Sequence, residues 1–324
     1  VSIFLIVVFF KEKVEHIKQT IDYLGAVLIL TTLGLMLIYL MESGQSWPWL
    51  SFTSIGLAVT IVILVVFTYY VEARSPYAIL PVWLWKNRTL AYTNFAMVGM
   101  GIVMMGPEAF MPTFTQASLG LGSIASGFVL ASMSLGWPTA SALSGRLYLK
   151  IGFRETSLIG TSFITLACGL FLIIPHPQPI YMIVLDQILI GVGFGLLSTP
   201  SLVGAQSMVA WRERGVVTGS IVFSRNLGQA LGAAIFGAIF NNSLVLQLKN
   251  TTHNLPNSSG SIVEALQNPA VPEVAKTFLR EAINNSMSHI YWGLVAFAAF
   301  IFYNMYRVPR RNPKDTTLLD ISKK

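Results

Sequence analysis

The chain has 324 residues, 54% hydrophobic and 11% charged, with a mean hydropathy of +0.65 and a formal net charge of +7. That apolar share exceeds what a soluble domain carries. The cations fall in short links between apolar runs and not on a polar stripe, which excludes a nucleic-acid partner, and a single cysteine, Cys168, excludes a disulfide framework or a cysteine metal cluster.

In chain order, the first apolar run, Val1 to Phe10, is about half the length needed to cross about 30 Å of hydrocarbon. No basic segment precedes it and no small-residue cleavage site follows, so we expect the end of a truncated span, in the back part of a longer protein. A basic link closes residues 1–20. Spans are then predicted at about Leu24–Met41 and Ile55–Val71, separated by a turn with Gly44 and Pro48 and with Trp47 and Trp49 at the interface. The next link carries Pro76, Pro81, Lys86 and Arg88, and Trp83 and Trp85 suit it to the membrane surface. This helix pair and its link form residues 21–89.

Six more spans are predicted at about Leu90–Phe114, Ile124–Ser144, Thr156–Ile174, Ile180–Val203, Val217–Phe240 and Ser288–Tyr306, a bundle within residues 90–306. The expected fold is therefore all-α: a polytopic membrane protein with eight transmembrane helices plus an N-terminal partial helix. Gly99, Gly101, Gly228, Gly232 and Gly237 suit close helix approach, which in lipid replaces the hydrophobic driving force. The long outer loop, 241–287, is rich in Asn, Ser and Thr and then reads PEVAKTFLREAI, a predicted short amphipathic helix with apolar Val274, Phe278 and Leu279. Asn250 and Asn257 lie in glycosylation sequons that so Asn- and Ser-rich a segment produces by chance.

Alternate links hold about 17 of the 21 Lys and Arg, including Lys11, Arg74, Arg146, Arg212 and the tail of residues 307–324. The rule that positive links stay inside then places the C-terminus in the cytoplasm of a plasma (inner) membrane protein. The most compact of these links, Ser144 to Arg154, reads SGRLYLKIGFR and joins two spans as an antiparallel hairpin.

That link resembles the cytoplasmic signature of the major facilitator superfamily, a glycine, three residues, Asp-Arg, one residue, then Gly-Arg-Arg/Lys. Gly145, Lys150, Gly152 and Arg154 match it, while Leu149 holds the Asp position and Phe153 the first Arg position, so the signature's charge network cannot form. The resemblance assigns Gly145, Arg146, Lys150, Gly152 and Arg154 a residual gating role. The extra pair of spans before the six-helix half, together with SGFVLASMSLGWPTASALSGRLYLKIGFR, GVGFGLLSTP, RERGVVTGS and SRNLGQALGAAIFG, resembles the 14-helix drug:proton antiporter (EmrB/QacA-like) branch. It covers essentially the whole chain, as a C-terminal portion. It implies protons and a small-molecule substrate as partners, with the lipid bilayer and a missing N-terminal half of the same transporter; it implies no cofactor.

Ionisable groups at bilayer depth are functional candidates by default. Glu108 follows Pro107 in GMGIVMMGPEAFMPTF, where Pro107 and Pro112 are expected to break the helix, and it lies about 27 Å above the inner end of its span. Asp186 lies about 9 Å below the outer end of its span, at a similar depth. By resemblance these spans line the central cavity, where a carboxylate takes up a proton or meets a cation; the competing readings are a helix cap for Glu108 and a backbone hydrogen bond for Asp186. Arg225, about 12 Å from the inner end, is too far in depth to pair with Asp186, and either snorkels to the cytoplasm or lines the inner vestibule.

GVGFG at 191–195 lacks the preceding strand and the spacing of a nucleotide loop and reads as close packing or a hinge. Phe95, Phe110, Phe114 and Trp137 are candidates for one aromatic wall around a lipophilic cation, or for packing. Four scattered histidines give no metal spacing and no catalytic residue is expected. The functional expectation is proton-coupled efflux of lipophilic or cationic drugs by alternating access; the alternatives are export of one metabolite or siderophore and, more distantly, a membrane acyltransferase.

Overall fold

In the computed structural model the described residues are 22–310 apart from 44–45, 49, 76–77, 175–177, 249–261, 263, 267 and 269–270. The partial first span, the basic segment after it, both sequons and residues 311–324 lie outside them. The described chain is helical: α1 (Tyr23–Glu42), α2 (Phe52–Arg74), α3 (Val82–Lys86), α4 (Arg88–Leu119), α5 (Ser123–Ala131), α6 (Met133–Ile151), α7 (Phe153–Ile173), α8 (Ile180–Gln206), a 3-10 turn (Trp211–Glu213), α9 (Arg214–Leu248) and α10 (Glu273–Arg307).

Among the described residues seven helices are long and apolar enough to cross a membrane: α1, α2, α4, α7, α8, α9 with its preceding turn, and α10. The eighth expected span is present as two abutting helices, α5 and α6. At the junction Ser132 keeps right-handed helical angles, but its hydroxyl turns back 2.6 Å to the Val129 carbonyl and its amide is shared among Phe128, Val129 and Leu130. Pro138, without an amide hydrogen, removes a further bond inside α6.

Three local expectations are corrected. Pro107 and Pro112 do not break their helix, since α4 runs unbroken for 32 residues. Its flanks are held by α9 and α10, and Thr115 donates to the Met111 and Pro112 carbonyls at 3.0 and 3.1 Å. The predicted short amphipathic helix is no separate element but the first turns of α10, with Leu279 buried and Val274 exposed. The loop is thereby shortened from both sides, because α9 also extends to Leu248; Ser243 holds His289 at 2.9 Å and Ser286 at 3.0 Å across the two extensions. Finally, the basic link is mostly helix: α6 continues to Ile151, and Gly152 alone makes the turn.

Glycines fix how closely the bundle packs. A Cβ on Gly101 would collide with the Arg225 carbonyl of α9, and one on Gly228 with the Val98 carbonyl of α4, so α4 and α9 touch backbone to backbone. Gly191 and Gly195 of α8 face the backbone of α6, at Met133 and Trp137, while Gly193 faces Gly160 and Ile164 of α7. The GVGFG run is thus a packing device, with α8 pressed between two neighbours. The pair α1–α2 is only lightly packed: 6% of the apolar window of α2 is buried against 56% in α4 and α8, and α1 makes the contact with the bundle, on α9. Ser43 and Ser54 join this pair at 3.1 Å and Thr32 and Thr68 at 3.4 Å.

Candidate functional site

Asp186 lies near the N-terminal end of α8 at 4% exposure, with Tyr291 reaching it from α10. Its Oδ2 accepts hydrogen bonds from the Tyr291 hydroxyl at 2.6 Å and from the Gln187 amide at 2.9 Å. The wholly buried Tyr291 ring stacks on Phe171 of α7, with centroids 3.6 Å apart and planes 10° apart, and Phe171 lies 5.5 Å from Phe114 of α4. A run of contacts through four helices, α4, α7, α10 and α8, therefore ends on one carboxylate. Tyrosine suits the place because its ring supplies apolar area while its hydroxyl satisfies a buried acceptor. Two acceptors there remain without donors, Asp186 Oδ1 and Gln187 Oε1. Cys168, about one turn before Phe171 on α7, is buried as a free thiol.

Asp186 thus ties α8 to α10 through a side chain, where sequence reasoning had weighed a backbone group. Gln187, Tyr291 and Phe171 were missed by that reasoning. The one signal for Tyr291 is a hydroxyl-bearing ring in the run SHIYWG inside a crossing segment.

Glu108 is half-buried on α4 and makes no hydrogen bond or ion pair among the described residues; it does not join Asp186. Pro107 beside it is buried. Arg225 is half-buried on α9, one residue after Ser224, whose hydroxyl donates to Asn94 of α4 at 2.8 Å. Among the described residues its guanidinium pairs with neither carboxylate. The aromatic candidates do not line one wall, because each is taken by a different ring: Phe95 by Trp85, Phe110 by Phe240, Phe114 by Phe171 and Trp137 by Phe194.

At the α6–α7 turn Gly152 has φ of 93°, a conformation that L side chains rarely adopt. Gly145, Arg146 and Lys150 lie exposed along the last turns of α6. Phe153, at the departed signature position, is buried against Gly204 of α8, and Leu149 is exposed. A different charge network takes over. Arg154 donates to the Tyr306 carbonyl at the end of α10 at 2.9 Å, lies over the Tyr306 ring, and neighbours Glu155 at 3.6 Å; Arg310 holds the same Glu155 oxygen at 3.0 Å.

Membrane-length helices packed around a buried ionisable residue define a multi-pass membrane protein. The chain belongs to the Major Facilitator Superfamily, whose family model matches residues 18–233. It is 27% identical to Multidrug resistance protein 3 of Bacillus subtilis (strain 168) over 303 residues, which are 90% of this chain and 59% of that protein. It is 28% identical to Multidrug transporter protein MdtP of the same organism over 271 residues, 81% of this chain and 50% of that protein. The Acurin A biosynthesis cluster MFS-type transporter of Aspergillus aculeatus is 32% identical over 228 residues, 69% of this chain and 40% of that protein. The chain spans about half the length of these curated relatives.

Proposed function

We propose that this chain supplies the C-terminal six-helix bundle and the preceding helix pair of a 14-helix antiporter that exports lipophilic or cationic compounds in exchange for protons. The observation that carries the reading is the buried Asp186 carboxylate, with Oδ2 held by Tyr291 and Gln187 and Oδ1 without a donor. An oxygen with spare acceptor capacity receives a proton or a cationic group, and both cannot occupy it at once. Competition for one site is the minimum an exchanger needs. As the two halves rock about a midplane site, Tyr291 on α10 holds or releases the carboxylate on α8, so that access changes with the helix arrangement. Glu108, half-buried on α4 and without a partner among the described residues, is a second proton or substrate site. Arg225 and the α6–α7 turn, Gly145 through Arg154, act on access from the cytoplasmic side.

The relatives named for multidrug resistance and multidrug transport support this reading. The relative from a biosynthesis cluster supports the alternative, an exporter of one metabolite. The basic links support a cytoplasmic C-terminus, in keeping with a plasma-membrane exporter.

The test is proton-driven efflux of ethidium from everted vesicles by the parent-length transporter that contains this chain and its N-terminal half. Asp186→Asn is expected to lower efflux at least tenfold with normal membrane yield, Tyr291→Phe to lower it less and shift its pH profile, and Glu108→Gln to weaken it. Unchanged efflux in Asp186→Asn moves the coupling chemistry to the N-terminal half. Inhibition of efflux by chemically unrelated cations supports multidrug export, and inhibition by one solute alone supports the metabolite reading.

A further inference from the structure

Between α7 and α10, on the outer wall of the bundle, runs a groove of about 700 Å³ lined chiefly by Leu166, Gly169, Leu170, Ile173, Phe302 and Tyr306. Its lining is almost entirely apolar, and the side chains at its rim are exposed. Both helices are of membrane-crossing length, so the groove lies at the depth of the lipid chains. Gly169 makes the floor: a Cβ there would meet nothing within 4 Å. From Ser162 to Ile173 the groove follows α7 for about 16 Å, a length that suits an acyl chain.

One end of the groove is cationic. Tyr303 and Tyr306 line it, and each carries an arginine: Arg307 donates to the Tyr303 hydroxyl at 3.0 and 3.1 Å, and Arg154 lies 5.0 Å from the Tyr306 ring centroid. Arg310, 80% exposed at its side chain, adds a third guanidinium, against which Glu155 alone is set among the described residues. Three cations and one anion leave a surplus of about two positive charges where the helix ends meet the headgroup region. A guanidinium fork matches the oxygens of a phosphodiester, and an aromatic ring beside it keeps that fork facing the interface.

We infer that this groove is a binding site for an anionic phospholipid, one acyl chain lying over Gly169 and the headgroup held by Arg154, Arg307 and Arg310. Neither half of the site selects alone. The apolar floor accepts any acyl chain, and the arginines accept any phosphate; together they select a lipid with a net negative headgroup. Arg154 also bonds the Tyr306 carbonyl, so the bound headgroup draws on the contact that joins the start of α7 to the end of α10. This proposal does not depend on proton coupling or on the exported compound.

The experiment is native mass spectrometry of the chain in detergent with added phosphatidylglycerol or phosphatidylcholine of the same acyl composition. Wild type is expected to retain one phosphatidylglycerol with at least tenfold preference. Gly169→Leu, which fills the floor without a backbone clash, and the double variant R307Q/R310Q are each expected to abolish that preference while thermal unfolding stays within the wild-type range. Excess glycerol 3-phosphate is expected not to displace the lipid. Equal retention of the two lipids, displacement by glycerol phosphate, or unchanged retention in both variants overturns the site. So does a dimer in place of the lipid adduct that Gly169→Leu dissociates, which would make a second copy the occupant.

Discussion

Asp22 shows how one side chain fixes the start of a span. Its Oδ1 accepts from the Gly25 amide at 2.8 Å, and a hydrogen bond from the Ser75 hydroxyl, with this one beside it, holds its carboxyl below the usual carboxylate range. A folded-state pKa below the unfolded one means that the stabilisation is fully present above the unfolded value and is lost as pH falls through the folded one. The protection of the Gly25 amide, its exchange rate relative to the intrinsic rate at the same pH, should therefore be high at about pH 7 and fall at about pH 2, while Asp22→Ala, which costs about 1 kcal/mol as a lost helix cap, should show low protection at both. A loss of protection already complete near neutral pH would contradict the assignment.

Residue-scale chemistry was legible only in part. Asp186 and Glu108 stand out in any hydropathy profile because a charge in an apolar run is rare. Tyr291 does not, because a tyrosine in a span is commonplace and only the crossing of α8 and α10 gives it a carboxylate to hold. The same holds for Arg154: the sequence aligned it with a signature, yet the contact it makes is with a carbonyl at the far end of the bundle's chain order.

At the scale of elements, spacing foretold close packing, but it could not tell which glycines do the packing. Gly228 sits against the backbone of α4, and Gly232 would place a Cβ 2.8 Å from the Ile102 carbonyl, whereas Gly237 in the same run would meet nothing within 4 Å. The pattern is the same for all three; only the direction each faces separates them. Gly228→Leu should consequently pry α4 from α9, lowering the yield of folded protein several-fold, while Gly237→Ala should be neutral or stabilise by up to about 1 kcal/mol. Thermal unfolding in detergent reads both, and equal destabilisation by the two would refute the backbone contact. Helix existence was easy to read because apolar runs of crossing length are long signals. The ends were harder: α9 and α10 both extend beyond their apolar runs, held by Ser243, Gln247, Ser286 and His289, polar residues that a hydropathy window counts as loop.

The whole molecule has two sides whose identity rests on its cations. If the basic links face the cytoplasm, a cysteine at Lys150 should react with a membrane-impermeant maleimide only in everted vesicles, and one at Glu281, exposed on the first turns of α10, only in intact cells. The reverse pattern would invert the topology. Helix α2, with 6% of its apolar window buried in this chain, should tolerate apolar exchange without loss of the bundle.

That labelling scheme is simple for a reason already present beside Asp186. Cys168 is the chain's single sulfhydryl, and it is walled in at 0% exposure by the α7 layer. A polar reagent in water has no path to it while the helices stay packed. Within this chain the native background is silent, and each introduced thiol reports its own surroundings. Conversely, any arrangement that opens the layer around Asp186 also uncovers a sulfur atom, so Cys168 is a built-in tell-tale for movement at the carboxylate.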